Sequence, residues 1–593
     1  MIRGSFILFA VILASAPPLP AVAENDDQPA ANRTVQSRFD VPDASRPPLL
    51  NGNTARSIDG GENNATRPDW GRAGEMLRRA VPSAYADNVS LPAGADRPGP
   101  REISNAILSQ PQPLSEATGL TDIFWIWGQF LDHDIGLTEV AHPLEYWPIA
   151  IPTGDVWFDP ASTGTREMAF ERSAWHPASG TDASNPRQQV NIVSTWIDGS
   201  QVYGSDPVRA AALRRHDGSG TLKTSGGDRL PFNVDGLPNA GGPGADLYLA
   251  GDVRVNENVV LTAMHTVFVR EHNRQAARIA LENPSLSGDA IYEEARAWVG
   301  ALVQVITYRQ FLPKLLGENA IAPYAGYQEN LDPTLANVFS TVAFRLGHSM
   351  VPPALMRLDS RMKPTADGPL ALRNAFFAPD AIQHSGAIAE LMRGAAVKTM
   401  QNLDQRIIDD LRNFLFGPPG AGGFDLGALN VQRARDHGLP DYNRVRAAFG
   451  LPSAGTFADL TNDDSLANEL AALYGSTERL DPWIGALAEP RMDGRMTGPL
   501  LHAILVDQFT RLRDADRFWY QRMFSGDRLA ELEATRLVDV IRRNTSAGPE
   551  LPDDLFLGAP QPRGIATLQT WSLVTLAVLL LLVTAPILRR QWR

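Results

Sequence analysis

Apolar residues recur at intervals of three and four along much of the chain, which is the spacing of a buried helix face. Strand-like alternation is scarce, and no repeat or polar linker divides the chain between about residues 50 and 560. This pattern predicts a mainly α fold: a single large helical domain with long loops over 51–560. The helical stretches are 121–135, 258–281, 290–316, 335–350, 388–415 and 498–543.

The beginning of the chain has the organisation of an export signal. A basic residue precedes the apolar run Phe6–Ala14, and Ala21 and Ala23 supply the small side chains of a cleavage site. The apolar run is too short to span a bilayer. We therefore expect a cleaved signal peptide over 1–23, followed by a polar, proline-rich and flexible lead-in over 24–50.

The other end of the chain is apolar and then basic. Residues 564–588 carry no charge, and arginine occupies three of the last five positions. That apolar length is sufficient to cross a bilayer, and basic residues tend to stay on the cytoplasmic side. We expect a transmembrane helix over 564–588, a basic cytoplasmic tail over 589–593 and an exported, membrane-anchored domain. The alternative is a sorting tail that is removed during surface processing.

The amino-acid composition excludes several kinds of active site and binding partner. The 593 residues include no cysteine and carry a net charge of −13. The lack of cysteine excludes disulfides, thiolate nucleophiles, thiolate haem ligands, iron–sulfur clusters and cysteine zinc sites. The acidic balance argues against a nucleic-acid partner, which favours a basic surface. The 49 glycines and 45 prolines predict long irregular connections.

Two of the ten histidines have unusual surroundings. Within 127–134 a polar set interrupts an apolar helical pattern, and Gln129 and His133 share one helix face because they are four residues apart. His348 follows a glycine, which lets a flat and bulky group approach the backbone, and Arg345 lies about one turn earlier. Taken alone, a histidine on an apolar face is more often a core side chain. The other eight are interpreted as surface, core or hydrogen-bonding residues: His142, His176, His216, His265, His272, His384, His437 and His502.

The segment Trp127–Asp134 resembles the distal haem segment of the animal haem peroxidases. Further motifs of that family follow in the family's order over roughly residues 50–550, and Asn430–Pro440 is a near-complete match to its most recognisable run. Together these matches outweigh the core interpretation of the two histidines. The remaining matching motifs are 56–60, 100–105, 198–204, 264–273 and 343–348.

The resemblance implies that a haem b is bound with His348 as the proximal ligand to iron. Asn430 matches the partner of that ligand, and its amide oxygen would accept a hydrogen bond from the ring nitrogen that does not bind iron. Arg345 and Arg433 match arginines on the haem side, which would contact propionates or orient the proximal network.

On the other haem face, the resemblance makes His133 the acid–base catalyst that moves a proton between the two oxygens of hydrogen peroxide. Arg254 would stabilise charge as the O–O bond breaks, and Gln129 would hold a distal water or halide. The implied activity is that of a haem peroxidase. Peroxide is reduced through a ferryl intermediate, and a halide, thiocyanate or an organic or phenolic donor is oxidised.

Asp132 and Glu257 match the two carboxylates that form ester bonds to haem methyl groups in this family, so the resemblance implies covalent attachment. The following residue is Asn258, whereas myeloperoxidase has methionine there. A sulfonium link to haem is therefore excluded at this position, and lactoperoxidase-like chemistry is the closer analogy.

The same resemblance implies a calcium site next to the distal histidine. Asp134 is rotated by about 100° around the helix from His133, so it would face away from haem. The other matching residues alternate along an extended segment, and oxygen-only ligation suits Ca²⁺. The matching ligands are Asp134, Ser194, Trp196 through its carbonyl, Asp198 and Ser200.

Two rival functions remain for comparison. Fatty-acid dioxygenases of the same superfamily carry a radical-forming tyrosine three residues before the proximal histidine, and here that position is Arg345. A non-catalytic surface or adhesion protein on this scaffold is disfavoured because the distal and proximal residues are all present. Since exported animal members usually contain disulfides, the cysteine-free sequence indicates a bacterial-type branch.

Overall fold

Helices carry most of the regular structure over residues 46–558, which are the residues that the computed structural model describes. In chain order, the α-helices are α1 (Pro100–Ile107), α2 (Asp122–Ile135), α3 (Ser200–Tyr203), α4 (Pro207–Leu213), α5 (Val259–Glu282), α6 (Gly288–Ile306), α7 (Leu312–Leu316), α8 (Asn337–Thr341), α9 (Ala387–Val397), α10 (Asp409–Arg412), α11 (Leu426–Asp436), α12 (Tyr442–Ala448), α13 (Asp464–Tyr474), α14 (Pro482–Ala488), α15 (Pro499–Asp514), α16 (Tyr520–Met523), α17 (Gly526–Ala534) and α18 (Leu537–Asn544). Tighter 3₁₀ turns cover Ala343–Ser349, Leu372–Asn374, Pro379–Ile382, Phe457–Asp459 and Thr477–Arg479, and a π turn covers Thr307–Phe311.

The β structure of the described chain consists of very short strands. The strands are β1 (Ser109–Gln110), β2 (Ile149–Ala150), β3 (Glu167–Met168), β4 (Ala354–Leu355), β5 (Leu370–Ala371) and β6 (Ile407–Ile408). β1 pairs with β6 in parallel, while β2 with β3 and β4 with β5 are antiparallel. The helical part of the predicted fold class fits this structure, and the predicted long connections are present, since the described residues 136–199 form no helix.

α2 is buried along almost its whole length and carries much of the candidate site. Aromatic side chains pack around it: the ring centroid of Phe130 lies 5.6 Å from that of Trp127 and 4.9 Å from that of Phe268 on α5. The helix ends at Gly136, where a Cβ atom would come within 2.8 Å of Leu335. Glycine therefore allows the following backbone to pass close to the core.

α5 and α6 form a packed pair that positions the segment before α5. The side chain of Asn258 accepts a hydrogen bond from the backbone N–H of Leu261 at 2.9 Å, and that of Ser287 accepts from Ala290 at 3.2 Å. Both are N-caps of the kind that satisfy free N–H groups at a helix start. Because α5 starts directly after Asn258, its first turn fixes the chain that precedes it against α2.

The predicted helix over 335–350 is divided into two pieces. α8 ends at Thr341, and Val342 adopts φ −123° and ψ −69°, outside the helical region. The chain then continues as the tighter turn Ala343–Ser349. His348 is thus presented from a short turn rather than from a regular α-helix.

The predicted fold class is corrected at the C-terminus, where it included a transmembrane helix. No helix between residues 46 and 558 is both long enough and apolar enough to cross a membrane. Residues 564–588, on which that prediction rested, lie outside the described residues. The predicted signal 1–23, most of the lead-in 24–50 and the tail 589–593 lie outside them as well.

Candidate active site

A cavity of about 350 Å³ lies between α2 and the turn Ala343–Ser349. His133 reaches it from α2, and His348 reaches it from the turn. The cavity brings together all of the predicted haem-site residues except Asn430, which lies behind His348. The apolar part of the lining includes Trp125, Phe311, Phe344, Phe376, Leu415 and Leu429.

Three polar side chains of α2 face this cavity. Gln129, Asp132 and His133 stand at positions i, i+3 and i+4, which share one helix face. His133 is almost completely buried, whereas 38% of the Asp132 side chain is accessible, and that accessible part borders the cavity. The helix therefore presents an imidazole, a carboxyl group and an amide to one enclosed space.

Arg254 is fixed next to these residues by several hydrogen bonds. Its Nε and Nη2 atoms donate to the two carboxylate oxygens of Asp252 at 2.9 and 2.8 Å, and Nη2 also donates to the Gly136 carbonyl at 2.9 Å. Nη1 lies 3.4 Å from Oδ2 of Asp132. The bidentate pairing with Asp252 is the strong, geometrically specific form of an arginine–carboxylate contact.

Asp252 is a site residue that the sequence patterns did not single out. Burial raises its pKa, but Arg254 and then His133 outweigh burial and hold the pKa well below the ordinary value. Its Oδ1 atom also lies 3.5 Å from Nδ1 of His133, an atom with no hydrogen-bond partner in the described structure. The sequence did contain one signal for this role: Asp252 stands two positions before Arg254, close enough for its carboxylate to pair with the guanidinium.

The imidazole of His133 is held neutral. Burial lowers its pKa well below 6.5, Arg254 lowers it further, and Asp252 opposes the change only in part. A neutral imidazole can accept a proton at neutral pH. Its Nε2 atom lies 3.7 Å from Oε2 of Glu257, on the cavity side.

A chain of amides holds Gln129 in one orientation. Asn258 donates from its amide nitrogen to Oε1 of Gln129 at 2.9 Å, and Gln129 donates from Nε2 to Oε2 of Glu257 at 3.1 Å. The amide oxygen of Asn258 is already used as the cap of α5. One residue therefore links the start of α5 to the orientation of a cavity amide.

The pKa values of the two cavity carboxyl groups are raised towards neutrality. Burial raises the pKa of Asp132 to about 6 and that of Glu257 to about 7. At both residues Arg254 opposes the rise, and Asp252 adds to it. Two carboxyl groups with pKa values near neutrality in one cleft are typical of a functional site.

His348 and Asn430 are in direct contact, but the amide has the opposite orientation to the predicted one. Nδ2 of Asn430 lies 2.7 Å from Nδ1 of His348, while its oxygen accepts a hydrogen bond from Nη1 of Arg345 at 2.6 Å. An amide nitrogen only donates, so Nδ1 is the acceptor in this arrangement. The reason is that the guanidinium of Arg345 can only donate, so it uses the amide oxygen of Asn430 as its acceptor and the amide nitrogen faces His348.

The two predicted haem-side arginines have different partners. Arg433 donates to the Glu171 carbonyl at 2.9 Å, to Ser173 at 2.7 Å and to Asp436 at 3.0 Å. Arg345 has no such carboxylate partner in the described structure, and burial, followed by the charge of Arg433, lowers its pKa to about 10. Both guanidinium groups border the cavity, where they provide positive charge.

The predicted calcium residues are gathered on the other side of α2. The Asp134 carboxylate accepts N–H groups from Gly199 at 3.2 Å and Ser200 at 2.6 Å, and Ser194 donates from Oγ to Asp198 at 2.8 Å. Burial and then the charge of Asp198 raise the pKa of Asp134 well above the ordinary value.

Trp196 belongs to the same segment but directs its indole N–H to the Gly60 carbonyl at 2.8 Å. Between residues 46 and 558, no group of three or more histidine, cysteine, aspartate or glutamate side chains is arranged to hold a metal ion. The candidate calcium cluster accordingly contains two carboxylates, with hydroxyl and main-chain groups as its other polar atoms.

Comparison with known proteins identifies the family. A family model described as "Animal haem peroxidase" matches residues 55–556. Human eosinophil peroxidase is 37% identical over 560 residues, which is 86% of this chain and 77% of that protein. Thyroid peroxidase of the dog is 35% identical over 556 residues, but the chain spans only 59% of that protein's length.

Solved structures agree with the sequence relatives. Peroxidase A from Dictyostelium discoideum is 34% identical, with a TM-score of 0.77 over 86% of this chain and 99% of that one. The fatty acid alpha-dioxygenase of Arabidopsis thaliana has a TM-score of 0.72 at 20% identity, over 87% and 85% of the two chains, and so shares the fold alone. The chain therefore belongs to the animal haem peroxidase family.

Proposed function

We propose that this chain is a haem peroxidase that reduces hydrogen peroxide and oxidises a small donor in the cavity between α2 and the turn Ala343–Ser349. The observation that carries the proposal is that His133 and His348 reach one cavity from different elements, with Arg254 fixed beside His133. The peroxidase class follows from family membership and from relatives such as eosinophil peroxidase.

The residues around the cavity fit a haem b. Asn430 occupies Nδ1 of His348, which leaves Nε2 as the atom to bind iron. Ligation through Nε2 requires the proton on Nδ1, so Asn430 would turn its oxygen towards His348 and Arg345 would need another acceptor. A haem propionate is the natural acceptor, and Arg433 would assist it. When bound, haem supplies the redox chemistry of the reaction.

His133 would move the proton that peroxide cleavage requires. The Nε2 atom of its neutral imidazole would accept the proton from one peroxide oxygen and donate it to the other oxygen. Arg254 would stabilise the negative charge that develops on the departing oxygen, because Asp252 holds its guanidinium in place. Asp252 also lies next to Nδ1 of His133 and would orient the ring.

Gln129 would hold the distal water or an anionic donor. Asn258 engages its amide oxygen, so its amide nitrogen remains the group that donates at the cavity. A hydrogen-bond donor beside Arg254 favours an anion such as a halide or thiocyanate. The apolar lining that includes Phe344 and Phe376 also suits a small phenolic donor.

Asp132 and Glu257 would attach the haem through ester bonds. Both carboxyl groups border the cavity, and both have pKa values raised towards neutrality by burial. Conversion of a buried carboxylate to an ester would remove a charge that burial disfavours. Their proximity to Arg254 would leave the covalent link adjacent to the peroxide site.

Asp134 and Asp198 would bind Ca²⁺ together with Ser194, Ser200 and the carbonyl of Trp196. Two buried carboxylates that repel each other are stabilised by a hard cation with oxygen ligands. Export is proposed from the signal-like residues 1–23, and a bacterial-type branch from the absence of cysteine.

The test of the function is a haem spectrum combined with peroxide-dependent dye oxidation on the purified protein. His348→Ala should abolish both the Soret band and the activity while far-UV circular dichroism remains helical, because the iron loses its protein ligand. His216→Ala, which removes an exposed histidine elsewhere, should change neither. A normal Soret band in His348→Ala removes His348 from this role, and a wild-type protein that takes up no haem refutes the function.

A further inference from the structure

A second cavity, of about 880 Å³, shares no lining residue with the haem cavity. It is bordered by the loop 215–229, the middle of α5, the start of α9 and the end of α18. We call it the cationic cleft because it is lined by Arg215, Arg229, Arg270 and Arg543, against Asp228 as the carboxylate in its lining.

The positive charge of the cationic cleft is only partly balanced. Arg543 pairs with the buried Glu271 at 2.6 and 2.8 Å, and Arg215 pairs with Asp217 at 3.2 Å, so the charges of these two arginines are balanced. Arg270 instead donates to the main-chain carbonyls of Gly227, Asp228 and Asn544, at 2.7 to 2.8 Å. Carbonyl groups hold the side chain but do not cancel its charge.

Arg229 is the least satisfied of the four arginines. It forms no ion pair with any described residue, and its Nε atom is buried without a hydrogen-bond partner. Burial lowers the pKa of the neighbouring Arg270, Asp228 partly restores it, and Arg229 lowers it again. Two guanidinium groups thus share one carboxylate, and buried donors of this kind normally have an acceptor.

α9 adds main-chain donors to the same cleft. Its N-cap is Gly386, with φ 91°, which has no side-chain oxygen to accept the free N–H groups of the first turn. Ile388 and Ala389 of that turn border the cleft. The start of this eleven-residue helix therefore presents main-chain donors beside the arginines, and Glu390 of its first turn, which lies 2.9 Å from His384, offsets part of the positive end of its dipole.

We propose that the cationic cleft binds a small organic anion that bears phosphate or sulfate groups. Guanidinium groups and helix N-termini are the groups that recognise such oxyanions. The cleft volume lies within the range of small-molecule sites. It is remote from the chemistry, since Arg270 lies about 16 Å along α5 from Val259, next to Glu257. The protein carries a net charge of −13, so a cavity lined by four arginines and one aspartate stands apart from its general composition.

The test is isothermal titration calorimetry of the haem-loaded, full-length protein with pyrophosphate, and with sulfate in parallel, at low ionic strength. Saturable binding that weakens as salt is added is expected, because partly exposed charges are screened. The Soret band should not change, since the haem cavity is separate. Tighter binding of pyrophosphate assigns a phosphate ligand and tighter binding of sulfate a sulfate ligand, whereas the absence of binding by both at millimolar concentration overturns the proposal.

Arg229→Gln is the decisive variant, because Arg229 forms no ion pair that its loss would break. Its affinity for the preferred anion should fall at least about tenfold, and Arg229→Lys should recover part of the loss. Arg361→Gln is the matched control: it removes the same charge from a side chain that is 84% exposed and outside the cleft. Unchanged binding by Arg229→Gln, or an equal loss in the control, contradicts the proposal.

Discussion

Asp132 and Asp134 lie two positions apart on α2, yet their carboxyl groups have opposite surroundings. Asp132 faces the cavity, where Nη1 of Arg254 is 3.4 Å away. Asp134 is fully buried on the other side, where the charge of Asp198 acts on it. Burial raises the pKa of both groups, but Arg254 opposes the rise at Asp132 and Asp198 adds to it at Asp134.

The difference between the two aspartates lies in the source of compensating charge. At Asp132 the chain provides its own cation in Arg254. At Asp134 the strongest neighbouring charge is a second carboxylate, and the backbone N–H groups of Gly199 and Ser200 compensate it only in part. A bound cation would complete that side, and it would also fix the end of the helix that carries His133. About half a turn of α2 therefore separates a carboxyl group beside an arginine from one beside a second carboxylate.

The largest expected effect concerns the proposed ester bonds between haem and the two cavity carboxyl groups, Asp132 and Glu257. Acid–acetone should leave haem on the wild-type protein and release it from the Asp132→Asn, Glu257→Gln double variant, because an amide side chain forms no ester. Asp134→Asn, the matched change on the other side of α2, should retain its haem. The measurement is the haem absorbance of the organic phase, and free haem from wild-type protein would reject the ester bonds.

Arg254→Gln should make the surroundings of Asp132 resemble those of Asp134, because the neighbouring cation is lost. Three carboxyl groups then remain without it: Asp132, Asp252 and Glu257. The rate of reaction with peroxide should fall by about 10²–10³, the usual cost of removing a donor that stabilises a developing anion. Stopped-flow measurement of the haem spectrum after mixing with peroxide provides the rate. Arg254→Lys should be less impaired than Arg254→Gln, and a wild-type rate in Arg254→Gln would exclude the proposed role.

Calcium removal should affect the Asp134 side alone. If Ca²⁺ is present at about 100 times its dissociation constant, a chelator should cost about 3 kcal/mol of stability. The denaturation midpoint with and without chelator measures this difference. Asp134→Asn should abolish the sensitivity, whereas Asp132→Asn should preserve it. A midpoint that does not respond to the chelator in wild-type protein contradicts the calcium site.

The helical fold could be predicted from the spacing of apolar residues, and the family resemblance indicated most of the residues that the structure gathers around the cavity. Apolar spacing predicts α2 and α5, and the i, i+4 relation of Gln129 and His133 predicts a shared face. Asp252 was missed because its contact with the guanidinium of Arg254 lies in a non-helical segment, which apolar periodicity does not describe. The division of the predicted helix at Val342 is likewise not visible in the apolar spacing, which continues across it.

The orientation of Asn430 shows a second limit of sequence-based reasoning. The resemblance predicts a contact between Asn430 and His348, and the two side chains lie 2.7 Å apart. It does not predict that Arg345 also contacts the amide of Asn430. Arg345 donates to the amide oxygen in this structure, so the predicted orientation of Asn430 requires another acceptor for Arg345. The cationic cleft was not predicted for a similar reason: its arginines come from three separate segments, and only folding brings their charges together.

The smallest expected effect concerns Asn258, an uncharged residue that holds the amide of Gln129 in place at the cavity. Asn258→Ala removes the N-cap of α5 and the hydrogen bond to Gln129, so stability should fall by about 1 kcal/mol. The released amide should also raise the KM for a halide roughly fivefold with little change in kcat, since one hydrogen bond contributes about 1 kcal/mol. Asp463→Ala, which removes the N-cap of the distant α13, should lose similar stability and leave KM unchanged. An unchanged KM in Asn258→Ala would reduce this residue to a helix cap, whereas a shift in KM alone shows that the orientation of Gln129 matters to the donor.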